Sequence, residues 1–298
     1  MKNYHSVVLV KQVPDTHHVT GDVMTKDGTM NRSALPAIFN PEDLHALEMA
    51  LQLRDRYGGT VTVLTMGPPQ ATAVLREALY RGADRVILLT DRKFAGADTQ
   101  ATSYTLKCAI QKLGLFDFVF CGRQAIDGDT AQVGPQVAEK LGIPQITYAE
   151  TILKLEGEQV IVQRAFDLGT EIVSCPLPCL LTVVSSANRP RPASARKRIG
   201  QKLAAAPYEL PALLVKWPEF GTEAALDQYL SAHNLKIPVW TAADLDVDEK
   251  ELGLAGSPTQ VYKINFVVLE STESKEIPPT AEGIQSLIHE LIQEYIIG

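Results

Sequence analysis

Hydrophobic and polar positions alternate along the first 150 residues in a way that predicts short strands separated by helices. Nearly continuous apolar runs, typical of strands covered on both faces, predict strands at residues 6–13, 60–66, 85–90 and 116–121. Apolar residues spaced three and four apart predict helices at residues 41–57, 69–81, 99–113 and 130–141. This alternation predicts a parallel, Rossmann-like α/β sheet with helices on both faces.

The expected helices carry their own start and stop signals. Asn40 is the expected N-cap of the first helix, with Pro41 at its first position. Asp98 or Thr99 is the expected cap of the third helix. A glycine follows each of the four helices and is expected to end it: Gly58, Gly82, Gly114 and Gly142.

The pattern changes after residue 145. Apolar runs at 152–155 and 160–162 flank a Glu-Gly-Glu turn and predict a β-hairpin, and residues 180–184 predict a further strand. Residues 188–202 are basic and contain prolines, which predicts an exposed arm, and the last 18 residues predict an amphipathic helix. We therefore expect an α/β nucleotide-binding domain at 1–187, and a C-terminal arm, inserted segment and docking helix at 188–298.

Composition narrows the function classes. The 28 basic and 35 acidic residues give a formal charge of −7, which argues against wholesale nucleic-acid binding. No apolar run approaches the ~20 residues that span a bilayer. The first run is too short for a signal peptide, so a cytoplasmic location is expected.

Cysteine and histidine positions do not predict a metal site. Cys175 and Cys179 are close in sequence but have no matching second pair, so reduced core thiols are expected. His17 and His18 have no carboxylate or cysteine at ligand spacing. The chain has no Gly-x-Ser-x-Gly elbow and no His-Glu-x-x-His motif, which argues against a hydrolase.

The densest candidate for chemistry is the segment 121–135, which leaves a strand and opens a helix. A helix start offers free N–H groups to a phosphate, and Gly128 lets the backbone approach a ligand. Asp127 and Asp129 suit ribose hydroxyls. Alternatively, Asp129 or Thr130 could cap the helix, and the segment would then be a capped loop that binds no ligand. Arg123 could neutralise a pyrophosphate or a flavin anion, or be a solvated surface arginine.

A second strand-to-helix junction places two hydroxyls on one helix face. Thr99 and Thr102 are three residues apart, and simple capping is the alternative explanation. The segments Asn40-Pro41 and Met66-Gly67-Pro68 are typical of turns first and of ligand contacts second.

At this point the motifs resemble those of electron-transfer flavoprotein β-subunits. The resemblance covers most of residues 5–200 and returns near 250–260. It rests on the motifs Lys-Gln-Val-Pro-Asp at 11–15, Asn-Pro-Glu-Asp-Leu-His-Ala-Leu-Glu at 40–48, Gly-Ala-Asp at 82–84, the 121–135 segment, Leu-Pro-Cys-Leu at 177–180, Asn-Arg-Pro-Arg at 188–191, and Gly-Leu-Ala-Gly-Ser-Pro-Thr at 253–259. The Gln-Ala-Ile-Asp loop in its strand-to-helix context is the most specific of them.

The resemblance implies a partnership and a cofactor. Such β-subunits pair with an α-subunit that carries FAD, and they hold an adenine nucleotide in their α/β fold. In simple electron carriers that nucleotide is AMP. In the electron-bifurcating branch it is the ADP part of a second FAD, which takes hydride from NADH. One electron then goes to ferredoxin, and the other goes through the α-subunit FAD to a partner such as an acyl-CoA dehydrogenase.

Two segments resemble the bifurcating branch more than the simple carriers. In the 127–134 loop, Gly128 and Ala131 remove side chains where extra ligand would pass, and the 98–104 segment carries the two threonines expected at the isoalloxazine. The resemblance implies that Thr99, Thr102 and Arg123 face the flavin ring. The implied cofactor-binding residues are Leu9, Val10, Asn40, Pro41, Asp43, Met66, Gly67, Pro68, Asp98, Gly122, Arg123, Gln124, Ala125, Ile126, Asp127, Gly128, Asp129, Thr130, Ala131, Gln132 and Val133.

The chain also departs from the family pattern. Ala195 stands near the position of a leucine that helps simple carriers dock their dehydrogenase, and Arg196-Lys197-Arg198 follows it. A basic arm could steer toward an acidic partner or be a solvated linker. The segment 207–240 is longer than the family pattern. Three rival functions remain: an AMP-binding electron carrier, a stand-alone adenine-nucleotide-binding module, and an interaction subunit whose nucleotide is vestigial.

Overall fold

The computed structural model describes residues 3–15, 36–167, 169–259, 275–294 and 296–297. The chain divides into two compact units, residues 1–261 and residues 262–298. His17 and His18 lie outside the described residues. No helix among the described residues is long and apolar enough to cross a membrane.

The first unit contains eleven strands and seven α-helices within its described residues. The strands are β1 (Tyr4–Leu9), β2 (Gln12–Pro14), β3 (Ala37–Phe39), β4 (Gly59–Met66), β5 (Arg85–Leu89), β6 (Phe118–Gly122), β7 (Gln145–Glu156), β8 (Gln159–Phe166), β9 (Gly169–Pro176), β10 (Cys179–Val183) and β11 (Val239–Trp240). The helices are α1 (Pro41–Tyr57), α2 (Thr72–Arg81), α3 (Thr99–Leu113), α4 (Val133–Leu141), α5 (Ala195–Gln201), α6 (Leu210–Lys216) and α7 (Glu223–Ala232).

Nine of the described strands form one sheet in the order β11-β5-β4-β1-β6-β10-β7-β8-β9. The strands from β11 to β7 pair in parallel, and β8 and β9 continue the sheet antiparallel. The predicted Rossmann-like α/β fold is confirmed. The predicted hairpin corresponds to β7 and β8, and it gains a third strand, β9, that the pattern did not indicate.

The central parallel strands are buried on both faces because they present apolar side chains alternately to the two sides. Val8 of β1 packs in one core cluster with residues of α1 and α2. Its neighbours Val7 and Leu9 pack in the other cluster with residues of α3 and α4. Two helical layers therefore cover the sheet, which explains why the strands are nearly continuous apolar runs.

The helices of the first half follow the predicted bounds closely. Helices α1 and α3 begin and end where predicted, and the predicted helix at 69–81 is a short 3₁₀ turn at Pro69–Ala71 followed by α2. Helix α4 begins at Val133 rather than residue 130. The reason is backbone conformation: Asp129 and Ala131 have φ values of 51° and 52°, which a right-handed helix does not contain.

The predicted strand at 6–13 is wrong beyond residue 9. Strand β1 ends at Leu9, and the chain turns so that β2 pairs antiparallel with β3 in a separate two-stranded sheet. Val13 is buried in this small sheet opposite Ile38. The apolar run therefore covers two strands in different sheets.

The segment after the sheet adds a small helical layer. Leu210, Leu226 and Leu230 form a satellite core with Ala205 and Leu235. The chain then returns to the sheet, where Trp240 of β11 pairs with Leu89 at its edge. The segment 207–240 thus completes the edge beside β5.

The basic arm at residues 188–202 is held against α1 at one end only. Helix α5 has no buried residue, whereas Arg191 before it pairs with Glu48 (2.8 Å) and Asp55 (2.9 Å) on α1. The domain boundary expected after residue 187 stays a prediction.

The second unit contains one described helix, α8 (Ala281–Gln293), which confirms the amphipathic helix predicted there. Thr280 caps it by accepting a hydrogen bond from the Gly283 N–H (3.1 Å). Its apolar stripe is exposed, since Ile284, Ile288 and Ile292 are each about half accessible.

Candidate functional site

The candidate site lies at the carboxyl ends of the central parallel strands. Strands β4, β1 and β6 are neighbours, and the chain reverses its direction of progress across the sheet between β1 and β6. Such a switch point opens a crevice in which α/β proteins bind ligands. The loops after β1 and β6 border it, so residues 10–11 and 122–132 lie at the site.

The first turn of α1 holds the loop after β6. Three backbone N–H groups of alternate loop residues donate to side chains at the start of α1: Gly122 to Asp43 (3.0 Å), Gln124 to Glu42 (2.9 Å) and Ile126 to Asn40 (3.2 Å). A helix packed on the sheet therefore fixes the first half of the loop.

Asn40 occupies the N-cap position of α1 and Pro41 begins the helix, as predicted. The Asn40 side chain makes no capping bond. Instead, Asn40 Oδ1 accepts from the Ile126 N–H, and Asn40 Nδ2 donates to the Gln124 carbonyl oxygen (2.9 Å). The buried amide thus satisfies polar groups of a loop more than 80 residues away.

Asp43 ties the ends of β1 and β6 together. Its buried carboxylate accepts from the N–H groups of Lys11 (2.8 Å) and Gly122 (3.0 Å). Burial raises the pKa of Asp43 to about 7, although these hydrogen bonds, an Asn40 hydrogen bond and the Lys11 charge oppose the shift. Asp43 therefore acts on the two loops through their backbone.

An ion pair spans the crevice above this carboxylate. Lys11 Nζ lies 2.7 and 2.8 Å from the two carboxylate oxygens of Asp127. The Lys11 side chain is 48% exposed and that of Asp127 is 18% exposed. Asp127, which was expected to bind ribose hydroxyls, is thus paired with Lys11 of the loop after β1.

We expect Lys11→Met and Asp127→Asn each to lower the free energy of unfolding by less than about 1 kcal/mol, because the Lys11 side chain is 48% exposed and water screens its charge. Urea denaturation of the two single variants and the double variant measures the coupling. The similarly exposed pair of Lys236 and Asp227 provides the matched control. A coupling above about 2 kcal/mol would contradict the assignment of a solvent-screened pair.

Arg123 is held on the α1 side of the loop. Its Nη2 donates to Glu42 Oε1 (2.9 Å), and its guanidinium carbon lies 5.9 Å from the ring centroid of Tyr148. Its Nε is buried and has no hydrogen-bond partner in the described structure. The described contacts bring Arg123 to Glu42 and Tyr148 and do not bring it to the two threonines.

The predicted cap of α3 is confirmed. Asp98 accepts from the N–H groups of Gln100 (2.9 Å) and Ala101 (3.0 Å). Thr259 also donates to this carboxylate, through its N–H (3.1 Å) and its hydroxyl (2.7 Å). Burial raises the pKa of Asp98, but these hydrogen bonds outweigh it and hold the pKa below its ordinary value.

Thr99 is joined to the start of α4. Its Oγ1 donates to Gln132 Oε1 (3.0 Å) and accepts from Gln136 Nε2 (3.3 Å). Thr102 is partly exposed one turn further along α3, on the same face as Thr99. The structure thus brings the threonine pair next to the loop after β6.

The start of α4 has no side-chain cap. Gln132 occupies the N-cap position without a capping bond, so the alternative that Asp129 or Thr130 caps the helix is wrong. Asp129 instead accepts from Gln124 Nε2 (3.0 Å). Gly128 is exposed, with no atom within 4 Å of the position of an added Cβ. The helix start and Gly128 therefore leave the donors and the space that a phosphate needs.

The remaining predicted residues line the same edge. Leu9 and Val10 are buried beneath the crevice, and Ala125 is partly buried in the loop. Met66 is the last residue of β4, and Gly67 and Pro68 follow it; the Gly67 N–H donates to the Leu89 carbonyl oxygen (3.0 Å). Pro41, Thr130 and Val133 are partly or fully exposed at the helix starts and the loop.

Sequence reasoning missed the contacts of Glu42 and Lys11. Both stand inside recognised motifs, but their partners at 123–127 are more than 80 residues away. The four cysteines are free and buried, as predicted for core thiols. Among the described residues, no group of three His, Cys, Asp or Glu is placed to hold a metal ion.

The combined geometry suits an anionic nucleotide. The uncapped start of α4 provides positive potential, and Asp127 and Asp129 provide carboxylate acceptors for hydroxyl groups. The Thr99 hydroxyl lies beside the loop, within hydrogen-bond distance of Gln132.

Comparison with known proteins agrees with the motifs. Residues 27–207 match the electron transfer flavoprotein domain. The chain is 44% identical over 292 residues to the electron transfer flavoprotein subunit beta of Thermoanaerobacterium thermosaccharolyticum, covering 98% of this chain and 99% of the relative. It is 43% identical over 291 residues to the same subunit of Clostridium acetobutylicum, with coverage of 98% and 99%. It is 45% identical over 258 residues to the caffeyl-CoA reductase–Etf complex subunit CarD of Acetobacterium woodii, covering 86% of each chain.

Proposed function

The chain belongs to the electron transfer flavoprotein family, as a β-subunit, and we propose that it binds FAD at the sheet edge described above within a heterodimer. Bound there, FAD would supply the chemistry of hydride acceptance from NADH and of one-electron transfer to ferredoxin and to the α-subunit FAD and a partner dehydrogenase. This assigns the chain to the electron-bifurcating branch.

The observation that carries the proposal is the contact between Thr99 and Gln132. This contact joins the loop at residues 122–132 to the start of α3, which carries Thr99 and Thr102. A ligand that binds the loop by its phosphates can therefore extend to the hydroxyls of Thr99 and Thr102. AMP needs the loop alone, whereas FAD uses the whole edge.

Each part of the site has a role in this proposal. The uncapped N–H groups of α4 bind the phosphates. Asp127 accepts from ribose hydroxyls. Thr99 and Thr102 donate hydrogen bonds to the flavin ring. The protein contributes position and electrostatics, while the redox chemistry belongs to the cofactor.

Cofactor content of the complex purified with its natural α-subunit tests the proposal. Acid release is expected to give two FAD and no AMP per heterodimer. One FAD and one AMP would instead assign the chain to the simple electron carriers. A β-subunit that is stable alone and binds ATP without a flavin partner would support a stand-alone nucleotide module.

Substitution of the threonines tests the ring contacts. We expect Thr99→Val and Thr102→Val each to weaken FAD binding at the β-site by about three- to tenfold, since each removes one hydrogen bond, and to slow reduction by NADH. Thr170→Val, on the exposed strand β9, is the matched control. Unchanged FAD content and unchanged reduction by NADH in both variants would rule out the assignment.

A further inference from the structure

The turn that follows β4, residues 67–71, contains two consecutive prolines and is called the β4 turn below. Pro68 and Pro69 have no backbone N–H, so their backbone can form hydrogen bonds only through carbonyl oxygens. The Pro68 carbonyl oxygen accepts from the Ala71 N–H (2.9 Å) within the same turn, and the Gly67 N–H donates to β5. The β4 turn is therefore tied to the sheet at Gly67, and Pro69 can be held from outside through its carbonyl oxygen.

Tyr208 of the small helical layer at residues 203–235 makes such a contact. Its hydroxyl lies 2.5 Å from the Pro69 carbonyl oxygen, which can only accept, so Tyr208 is the donor. Thr72 Oγ1 lies 3.2 Å from the same oxygen, but Thr72 belongs to the helix that follows directly and moves with the turn. Gln12 Nε2 makes a longer contact with the Gln70 carbonyl oxygen (3.4 Å). Tyr208 therefore ties the β4 turn to a part of the chain 139 residues further on.

The backbone around Tyr208 is anchored on both sides by α2. Arg76 of this helix donates through Nε to the Ala204 carbonyl oxygen (2.8 Å), and its Nη2 pairs with Glu209 Oε1. Glu209 Oε2 in turn accepts from the N–H of the buried Ala206 (2.8 Å). Because these bonds fix the backbone before and after Tyr208, its ring is presented to the β4 turn by a fixed support.

The β4 turn borders the part of the site that the proposed function leaves for the adenine base, since the starts of α4 and α3 take the phosphates and the flavin ring. The Val10 N–H donates to the Leu64 carbonyl oxygen (2.9 Å), so the ends of β1 and β4 lie side by side. Val10 is buried, Met66 is partly buried, and Gly67 adds no side chain. Apolar side chains and free space suit a flat base. A shift of the β4 turn would therefore open one wall of this part of the site.

We propose that Tyr208 is a positioning residue of the nucleotide site, which keeps the β4 turn against the base by holding the Pro69 carbonyl oxygen. The segment 207–240, which is longer than the family pattern, thereby gains a role at the site. The proposal rests on the proposed function, which assigns a nucleotide to this edge of the sheet. AMP carries the same base as FAD, so the binding of either nucleotide is expected to depend on Tyr208 to the same extent.

Tyr208→Phe in the full α–β complex tests the proposal. The change removes the donor and keeps the ring, which is 41% exposed, so the variant is expected to fold. FAD and AMP are each titrated into complex from which the β-site nucleotide has been removed. We expect the dissociation constant to rise about three- to tenfold for FAD and by the same factor for AMP. At saturating FAD, the rate of reduction by NADH and the visible absorption spectrum are expected to match wild type, because the flavin ring lies away from the β4 turn.

Tyr229→Phe is the matched control. It makes the same chemical change on α7 of the same helical layer, where the Tyr229 ring packs against Phe220 with ring centroids 4.9 Å apart. Both dissociation constants are expected to stay at their wild-type values.

Four outcomes would overturn the proposal. They are unchanged affinity for both nucleotides in Tyr208→Phe, a loss confined to FAD, an equal loss in Tyr229→Phe, and slower reduction by NADH at saturating FAD. The last would indicate a general disturbance of the site instead of a local effect on the base. If the wild-type β-site binds AMP and no FAD, the proposed function fails, whereas the AMP affinities of the two variants still test the role of Tyr208.

Discussion

Gly122→Ala is expected to lower the free energy of unfolding by about 2 to 4 kcal/mol. An added Cβ would lie 2.6 Å from Asp43 Oδ1 and within 2.8 Å of backbone atoms of Glu42 and Asp43. These atoms belong to the start of α1 and cannot move without releasing the loop after β6. Urea denaturation of the full chain measures the loss.

Gly128→Ala provides the matched control. The same methyl group enters open space there, and the backbone has no positive φ. We expect its free energy of unfolding to lie within about 0.5 kcal/mol of wild type, while FAD binding to the complex weakens. Equal destabilisation by the two substitutions would show that the start of α1 does not fix the loop.

The second large effect concerns pH. We expect the free energy of unfolding to fall between pH 5 and pH 7 by about 2 to 3 kcal/mol in wild type relative to Asp43→Asn, and then to level off. Burial raises the pKa of Asp43 to about 7, so the folded chain holds a proton that the unfolded chain has already released above about pH 4. Ionisation above pH 4 therefore costs stability until the folded carboxyl has also titrated. Asparagine does not titrate, so the difference between the two proteins isolates this group.

Asp244→Asn is the control for this titration. Hydrogen bonds from the Thr241 N–H and hydroxyl hold the pKa of Asp244 below its ordinary value. Its contribution is present above the unfolded pKa and is lost only as pH falls through the folded pKa. The difference between wild type and Asp244→Asn is therefore expected to be flat from pH 5 to pH 8. A flat difference for Asp43→Asn as well would show that its carboxyl is ionised throughout this range.

The sequence predicted the parts of the fold that depend on neighbouring residues. The bounds of α1 and α3 follow from apolar spacing and from glycines that end helices, and these signals act within a few residues. The parallel sheet follows from the order of elements. The run 6–13 gave a wrong strand because its apolar residues satisfy two different sheets, and a local pattern cannot distinguish them.

The candidate site was predictable as a place but not as a set of contacts. Its loops follow buried strands, and that alone locates it at one sheet edge. The positive φ of Ala131 was not predictable, because alanine favours a right-handed helix. Asn40 is a residue type that often caps helices, yet its side chain bonds to the backbone of Gln124 and Ile126. Only the folded sheet brings these residues close to it.

The turn at Asp98 also has a consequence for the order of events on the ribosome. Thr259, which is 161 residues further along the chain, donates two hydrogen bonds to the Asp98 carboxylate. At about 5 to 20 residues per second, synthesis of that stretch takes about 8 to 32 s. During this time the crevice between β1 and β6 can already form, but the Asp98 carboxylate at the beginning of α3 lacks its hydrogen bonds from Thr259. The β1–β6 crevice and the beginning of α3 therefore reach their final contacts at different times. The beginning of α3, which carries Thr99, does so only when the chain is nearly finished.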